Sequence, residues 1–218
     1  MTEDEALGWL AEYGWQEGRA ADRLRRVVDL VVSENERQNL ISASTIPQIW
    51  GRHIVDSAQL LPLAGEGDGL WIDLGSGGGF PGLVIACLRD APLRMVEVRP
   101  LRARFLADCV TALGLSHVMV EQAKAERVML DRPARYLSAR AFAALDKTLA
   151  LASHMADRET CWLLPKGRNA QLELVTAQRQ WQGLFHVEHS VTDPDSAIIV
   201  ASGVARRYPM IAKPARRR

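Results

Sequence analysis

Trp71-Ile72-Asp73-Leu74-Gly75-Ser76-Gly77-Gly78-Gly79-Phe80-Pro81-Gly82 reads as a strand that runs into a glycine loop and then into a helix. Trp71, Ile72 and Leu74 make the short apolar run of a strand covered on both faces, with one acid, Asp73, set among them. Glycine lets a chain turn tightly at positive φ and leaves bare backbone for a ligand to approach, so the loop reads as a ligand cradle. Pro81 fits the first helical turn, where its missing N–H would have had no intrahelical partner. Gly77-x-Gly79-x-x-Gly82 satisfies the dinucleotide pattern G-x-G-x-x-G, which by itself does not choose between cofactors. The competing reading is a glycine-rich turn that binds nothing, and it leaves the entropic cost of so many glycines without a return.

The chain has 218 residues, enough for one sizeable α/β domain with a small appendage. Cys87, Cys109 and Cys161 are odd in number and lack metal-ligand spacing, so neither a disulfide framework nor a metal site is expected. No segment has the uninterrupted apolar run of a membrane helix, and Met1-Thr2-Glu3-Asp4-Glu5 is acidic where a secretion signal is basic; a cytoplasmic protein is expected. A net charge of +1 is too small to make the whole surface attract polyanions, so nucleic-acid binding would need local clusters. Such clusters exist at Arg19, Arg23, Arg25 and Arg26, at Arg99, Arg102 and Arg104, and in the tail Lys213-Pro214-Ala215-Arg216-Arg217-Arg218. Solvated faces and tails commonly carry such runs as well.

Thr2-Glu3-Asp4-Glu5 has the form of a capping box at the start of a first helix that Gly14 stops. Leu24, Val27, Val28 and Val31 recur at helical spacing within an amphipathic second helix, Arg19 to Gln38. After Ser44 a helical stretch carries Ile49, Trp50, His53, Ile54, Val55 and Asp56, and Pro62 is expected to end it. From Leu70 onward short apolar runs alternate with helical patterns, which predicts a parallel sheet covered on both faces. The strands are read at Leu70–Leu74, Leu93–Val98, Val118–Glu121, Tyr136–Ala139, Cys161–Leu164, His186–Val191 and Ala197–Ala201. Crossover helices are read from Phe80-Pro81 and from Leu101 to Leu113. The turn-rich connection from His189 to Ser196 has no room for a helix, so the last two strands are expected to pair antiparallel. The organisation is thus a helical extension over 1–66, an α/β core over 67–205 and a basic tail over 206–218.

Glu97 ends the second strand about twenty residues past the loop, where an acid can accept hydrogen bonds from ribose hydroxyls. Arg140 follows the fourth strand and Lys166 the fifth; either can hold an anionic group at the carboxyl ends of the strands. His53 and Asp56 share a helix face and invite a general-base reading, but a structural role, fastening the N-terminal helices over the cofactor, fits them better.

Asp73-x-Gly75-x-Gly77-x-Gly79, with the terminal hairpin, resembles the S-adenosylmethionine loop of Rossmann-like class I methyltransferases more than a nicotinamide site. A narrower resemblance rests on Asn39-Leu40-Ile41-Ser42, Arg52-His53-Ile54-Val55-Asp56-Ser57, the loop from Gly75 to Gly82, Arg102-Ala103-Arg104-Phe105-Leu106, Ser138-Ala139-Arg140-Ala141-Phe142 and Lys166-Gly167. In this order they are similar to the RsmG/GidB family of bacterial 16S rRNA guanine-N7 methyltransferases. That resemblance implies a cytoplasmic enzyme using S-adenosylmethionine on guanine 527 of 16S rRNA within the small ribosomal subunit. It also implies a cofactor site that includes Gly75, Phe80, Ala125, Glu126 and Arg140, beside Asp73, Gly77, Gly79 and Glu97 from the loop reading. Arg140 and Lys166 are the expected substrate contacts. Phe80 and Leu101 depart from the family, which often has Leu and Lys there.

Neither the Asn/Asp-Pro-Pro-aromatic motif of adenine amine methylation nor a Cys-Pro pair for cytosine C5 chemistry is present. Both absences favour a substrate atom needing no covalent activation, and guanine N7 carries an accessible lone pair. No catalytic general base is therefore expected. Two rivals remain: a nicotinamide-dependent oxidoreductase, and a non-catalytic RNA-binding module on a relic fold.

Overall fold

The computed structural model describes residues 1–207, and the run Lys213–Arg218 lies outside them. Seven strands form one sheet: β1 Trp71–Leu74, β2 Leu93–Val96, β3 Val118–Glu121, β4 Tyr136–Ser138, β5 Cys161–Lys166, β6 Trp181–His189 and β7 Ala197–Arg206, in the order β3-β2-β1-β4-β5-β7-β6. The first five are mutually parallel, and β7 runs antiparallel to both β5 and β6. The chain builds outward from β1 through β2 to β3 and then returns to place β4 on the other side of β1. Strand order therefore switches between β1 and β4, the place where ligands bind in open α/β sheets, and the glycine loop leaves β1 there.

Helix α1 (Glu3–Glu12) begins with the capping box that the sequence predicts: Glu5 N–H donates to Thr2 Oγ1, and Thr2 N–H donates to Glu5 Oε2 at 2.7 Å. Helix α2 spans Gly18–Asn35, ending three residues before the expected Gln38. The Asn35 side chain explains the stop, because its Oδ1 accepts from Leu40 N and Ile41 N and turns the chain. A 3₁₀ turn (Ala43–Gln48) and a π-helical turn (Trp50–Val55) follow, then α3 (Asp56–Ala58) and α4 (Leu60–Ala64). Pro62 does not end this stretch. It is the third residue of α4, in the first turn where no intrahelical donor is needed, and Gly65 at φ +70° breaks the helix instead.

The crossover helices are α5 (Gly82–Leu88), α6 (Pro100–Ala112), α7 (Leu145–Ala152) and α8 (Ala170–Ala177). Leu24, Val27, Val31, Ile54 and Leu60 share one apolar core with Trp71, Leu83, Ile85 and Leu106, so the N-terminal helices are built onto one face of the sheet. On the opposite face Ile72, Leu74, Leu137 and Trp162 pack with Leu145, Leu149 and Leu174. The strand's two-residue alternation thus turns Trp71 and Asp73 toward α5, and Ile72 and Leu74 toward α7.

Three strands are longer than the apolar pattern indicates, among them β7, which runs on to Arg206 rather than stopping at Ala201. β5 continues through Pro165 to Lys166; β4 pairs with it only as far as Leu163, and Pro165 lies beyond, paired through β7 alone. β6 begins at Trp181 rather than His186, because a register shift between Gln182 and Leu184, with Gly183 at φ +157°, breaks the period-two signal of a largely polar edge strand. No helix among the described residues is long and apolar enough to cross a membrane.

Candidate active site

The glycine loop is held from beneath and from the side. Gly75 N–H and Ser76 N–H both donate to Val96 O at the end of β2, at 2.8 and 3.2 Å, and Gly75 takes φ +66°. Asp73 is fully buried; its Oδ1 accepts from Ser138 Oγ at 2.7 Å and its Oδ2 from Gly82 N at 3.1 Å. Burial pushes the carboxyl up to about 6, against the pull of these hydrogen bonds. Asp73 therefore braces the loop to β4 and α5 from behind. A Cβ at Gly82 would lie 2.7 Å from Asp73 Oδ2, which is why the helix must open on glycine. Glu97, 4% exposed, receives Gly77 N–H on Oε2 at 2.9 Å and Arg99 N–H on Oε1 at 2.8 Å.

In front of the loop lies a cavity of about 440 Å³ walled by Gly75, Val96, Glu97, Ala125, Glu126 and Phe142, among others. Its size falls within the usual range of small-molecule sites. Each Glu97 oxygen keeps a further lone pair for a hydroxyl, and Val96, Ala123 and Leu151 supply apolar wall for a flat ring. At Gly75 a Cβ would meet Phe142 Cδ2 at 2.6 Å, so the bare backbone and the ring above it leave space that no side chain can share. These features fit a nucleoside cofactor with a polar tail.

A second cavity, about 600 Å³, shares Ala141, Phe142 and Ala143 with the first, so one short loop parts the two. Ala141 holds φ +51°, a conformation costly for a residue with a Cβ, and two neighbours keep the loop there. Lys166 Nζ donates to Ala143 O at 2.7 Å and pairs with Glu173 Oε2 at 2.9 Å; that carboxylate oxygen also accepts from Leu145 N. Arg140 sits over the Phe80 ring, 5.4 Å from its centroid, and donates to Asp56 Oδ2 and His53 Nδ1, both at 3.0 Å. His53 Nε2 lies 2.9 Å from Thr45 Oγ1, whose own hydrogen goes to Ser42 O. Nδ1 is therefore the acceptor and Nε2 carries the proton. Burial first, then Arg140 and Arg52, hold the ring's pKa down to about 3.

Of the residues singled out in the sequence, Gly75, Glu97, Ala125 and Glu126 come together on the first cavity, and Arg140 and Lys166 on the second. Asp73, Gly77, Gly79 and Phe80 line neither: Asp73 is under the loop, Gly77 is tied to Glu97, Gly79 is backed by Leu83, and Phe80 lies beneath Arg140. Lys166 is only 10% exposed and already paired. Sequence reasoning gave no role to Phe142, to Ser138, or to Arg52, which pairs with Asp193 at 2.7 Å. The short Arg-Ala-Phe run was the signal for Phe142; Asp193 carried none, because it is 141 residues from Arg52.

A stability prediction follows from His53. The folded chain keeps the ring neutral down to about pH 3, while the unfolded chain takes up a proton near pH 6.5, so the unfolded state binds more protons between those values. Stability falls as pH drops below about 6.5. Asp73 acts in the opposite sense below about pH 6, since its carboxyl protonates earlier in the folded chain. Urea titrations at pH 7.5, 6.5 and 6.0 check this: wild type loses stability across that interval and His53→Gln loses less. Equal slopes for the two chains overturn the assignment of a neutral ring.

Glycine loop, acid-tipped second strand and an antiparallel end to an otherwise parallel sheet are the marks of the Rossmann-like class I S-adenosylmethionine-dependent methyltransferases. Solved structures agree on the fold: glycopeptide N-methyltransferase MtfA complexed with S-adenosyl-L-homocysteine superposes with a TM-score of 0.56 at 9% identity, over 69% of this chain and 89% of that one. Within that class, the profile of the GidB family, rRNA small subunit methyltransferase G, matches residues 20–197, and this chain belongs to that family. The ribosomal RNA small subunit methyltransferase G of Sphingopyxis alaskensis is 50% identical over 206 residues, 93% of this chain and 88% of that protein. Its counterpart in Novosphingobium aromaticivorans is 47% identical over 212 residues, 96% of this chain and 92% of that protein.

Proposed function

We propose that this chain transfers a methyl group from S-adenosylmethionine to N7 of a guanine in the rRNA of the small ribosomal subunit, at position 527 by family resemblance. Family membership supports the cofactor and the RNA. The observation that carries the choice of atom is in the second cavity, where each carboxylate is paired with a cation: Asp56 with Arg140, Glu173 with Lys166 and Asp193 with Arg52. His53, the remaining base, is neutral with its lone pair bound by Arg140. A cavity that has no free base among the described residues suits a nucleophile that has no proton to lose, and guanine N7 is one.

The cofactor would lie against Gly75, Glu97, Ala125 and Glu126, where Glu97 accepts from ribose hydroxyls, and it supplies an electrophilic sulfonium methyl. This chain's residues do the rest. The Ala141–Ala143 loop, locked by Lys166 and Glu173, sets where a base in the second cavity stops relative to the first. Alignment of two reactants alone supplies on the order of 7–11 kcal/mol of barrier lowering. Recognition would use O6 and the Watson–Crick edge, since a donor at N7 would occupy the attacking lone pair. The guanine must leave its stack or be presented unstacked by a loop.

We place the reaction in the cytoplasm, on assembled subunits; Asp73, Gly77, Gly79 and Phe80 then shape the cofactor site from behind it. Incubation with unmodified small subunits and S-adenosylmethionine, followed by borohydride–aniline cleavage and primer extension, tests the reading. One new stop next to a single guanine is expected, and none when NAD replaces the cofactor. Methyl incorporation without such a stop overturns the choice of N7. Equal modification of a short naked hairpin overturns the assembled-subunit reading.

A further inference from the structure

Arg99, Arg102, Lys124 and Lys147 line the cofactor cavity together with two carboxylates, Glu97 and Glu126. None of the six stands in an ion pair among the described residues, so the cations exceed the acids by two, and Arg99, Lys124 and Lys147 are exposed. The neighbouring cavity differs, since its cations Arg52, Arg140 and Lys166 are each matched by a carboxylate. S-adenosylmethionine does not explain the surplus. It carries a single carboxylate against an ammonium and a sulfonium, so its net charge is positive, and an excess of two cations in the wall around it repels more of it than it attracts. An anion other than the cofactor is required to complement them, and a strand of RNA brings one phosphate per nucleotide.

Geometry supplies the path. Both cavities share the Ala141–Ala143 loop, so an RNA strand with its base in the 600 Å³ cavity has its flanking backbone next to the rim of the 440 Å³ one. Resting on the function proposed above, we infer that Arg99, Lys124 and Lys147 form a phosphate track that carries the RNA across the mouth of the cofactor cavity. Bound RNA then closes the cofactor's exit. Binding is ordered, cofactor before RNA, and the spent cofactor leaves only after the RNA does.

The test preloads the full chain with tritiated S-adenosylhomocysteine and follows its exchange against unlabelled cofactor, with and without saturating unmodified small ribosomal subunits. Exchange at least about tenfold slower with subunits is expected, as when a lid closes. Lys124→Gln and Lys147→Gln each remove a phosphate contact, so the slope of log affinity for subunits against log salt falls by about one in each, while affinity for S-adenosylhomocysteine in the free protein stays within about twofold. Variants that weaken S-adenosylhomocysteine and keep the wild-type salt slope assign these cations to the cofactor and overturn the track. Equal exchange with and without subunits, in a wild-type protein that methylates them, overturns the ordered closure. Wild-type protein that puts no methyl into the subunits overturns the function itself, and the track with it.

Discussion

Gly75→Val gives a chain that folds and no longer binds S-adenosylmethionine. Gly75 holds φ +66°, where a side chain costs about 1–2 kcal/mol, and its Cβ would sit 2.6 Å from Phe142 Cδ2 and 3.3 Å from Cε2. That strain, with about 1–3 kcal/mol for displacing the ring, lowers the midpoint of a chain this long by roughly 4–20 °C, which leaves it folded at room temperature. The ring cannot stay where it is. Phe142 belongs to both cavities, so pushing it away deforms the wall of each while the valine methyls fill the bare approach to the loop. Affinity is expected to fall by more than about a hundredfold, or roughly 2.7 kcal/mol. Gly114→Val is the control: Gly114 has nearly the same backbone, φ +61°, with nothing within 4 Å of an added Cβ, so it carries the strain without the collision. Calorimetry that finds both variants equally weak assigns the effect to strain, and undiminished affinity in a folded Gly75→Val shows that the loop is not the cradle.

That Gly75 stands out in the sequence is a matter of range. The strand, its glycine loop and the Thr2–Glu5 cap are written in residues a few positions apart, and local spacing reports them directly. The architecture was legible for a related reason, because alternating apolar runs and helical periods admit few packings. Partners across the fold were not. Asp73 meets Ser138 from 65 positions away and Arg140 meets His53 from 87, so an acid at a strand end read as a ligand contact and its bracing bond to Ser138 left no local trace. Lys166 read as an anion contact on the same ground. Its position at the end of β5 was visible, and Glu173, folded back from α8 to meet it, was not. The start of β6 stayed hidden because an edge strand with one wet face needs no apolar run, and its bulge removes the alternation that remains.

Arg140→Ala is expected to lower the rate of methyl transfer at least about tenfold at saturating cofactor and RNA, without introducing any pH dependence. The guanidinium holds Asp56, His53 and the Arg52 carbonyl in one array above Phe80. Its loss leaves the Asp56 carboxylate without a counter-ion, though still accepting from Gln59 and Thr192, and leaves a ring nitrogen unpaired, a destabilisation of about 1–3 kcal/mol that is felt where β4 enters the loop between the cavities. The pH profile separates this positioning role from acid–base chemistry. N7 attacks through a lone pair that is free at neutral pH, and the product keeps the positive charge, so the chemical step releases no proton. Single-turnover rates should be flat from about pH 6 to pH 9, a span that contains the reference pKa of histidine. In wild type His53 is already neutral throughout that range, with its pKa held near about 3. Removing Arg140 withdraws one cause of that depression, but burial, the larger cause, remains, so the variant's plateau stays flat as well. His53→Gln should act through stability or cofactor retention and leave the profile unchanged. A rate that rises tenfold per pH unit through neutrality and loses that rise in His53→Gln would mean that a proton leaves before the methyl arrives. The nucleophile would then be an N–H of the base, and the methylated atom would not be N7.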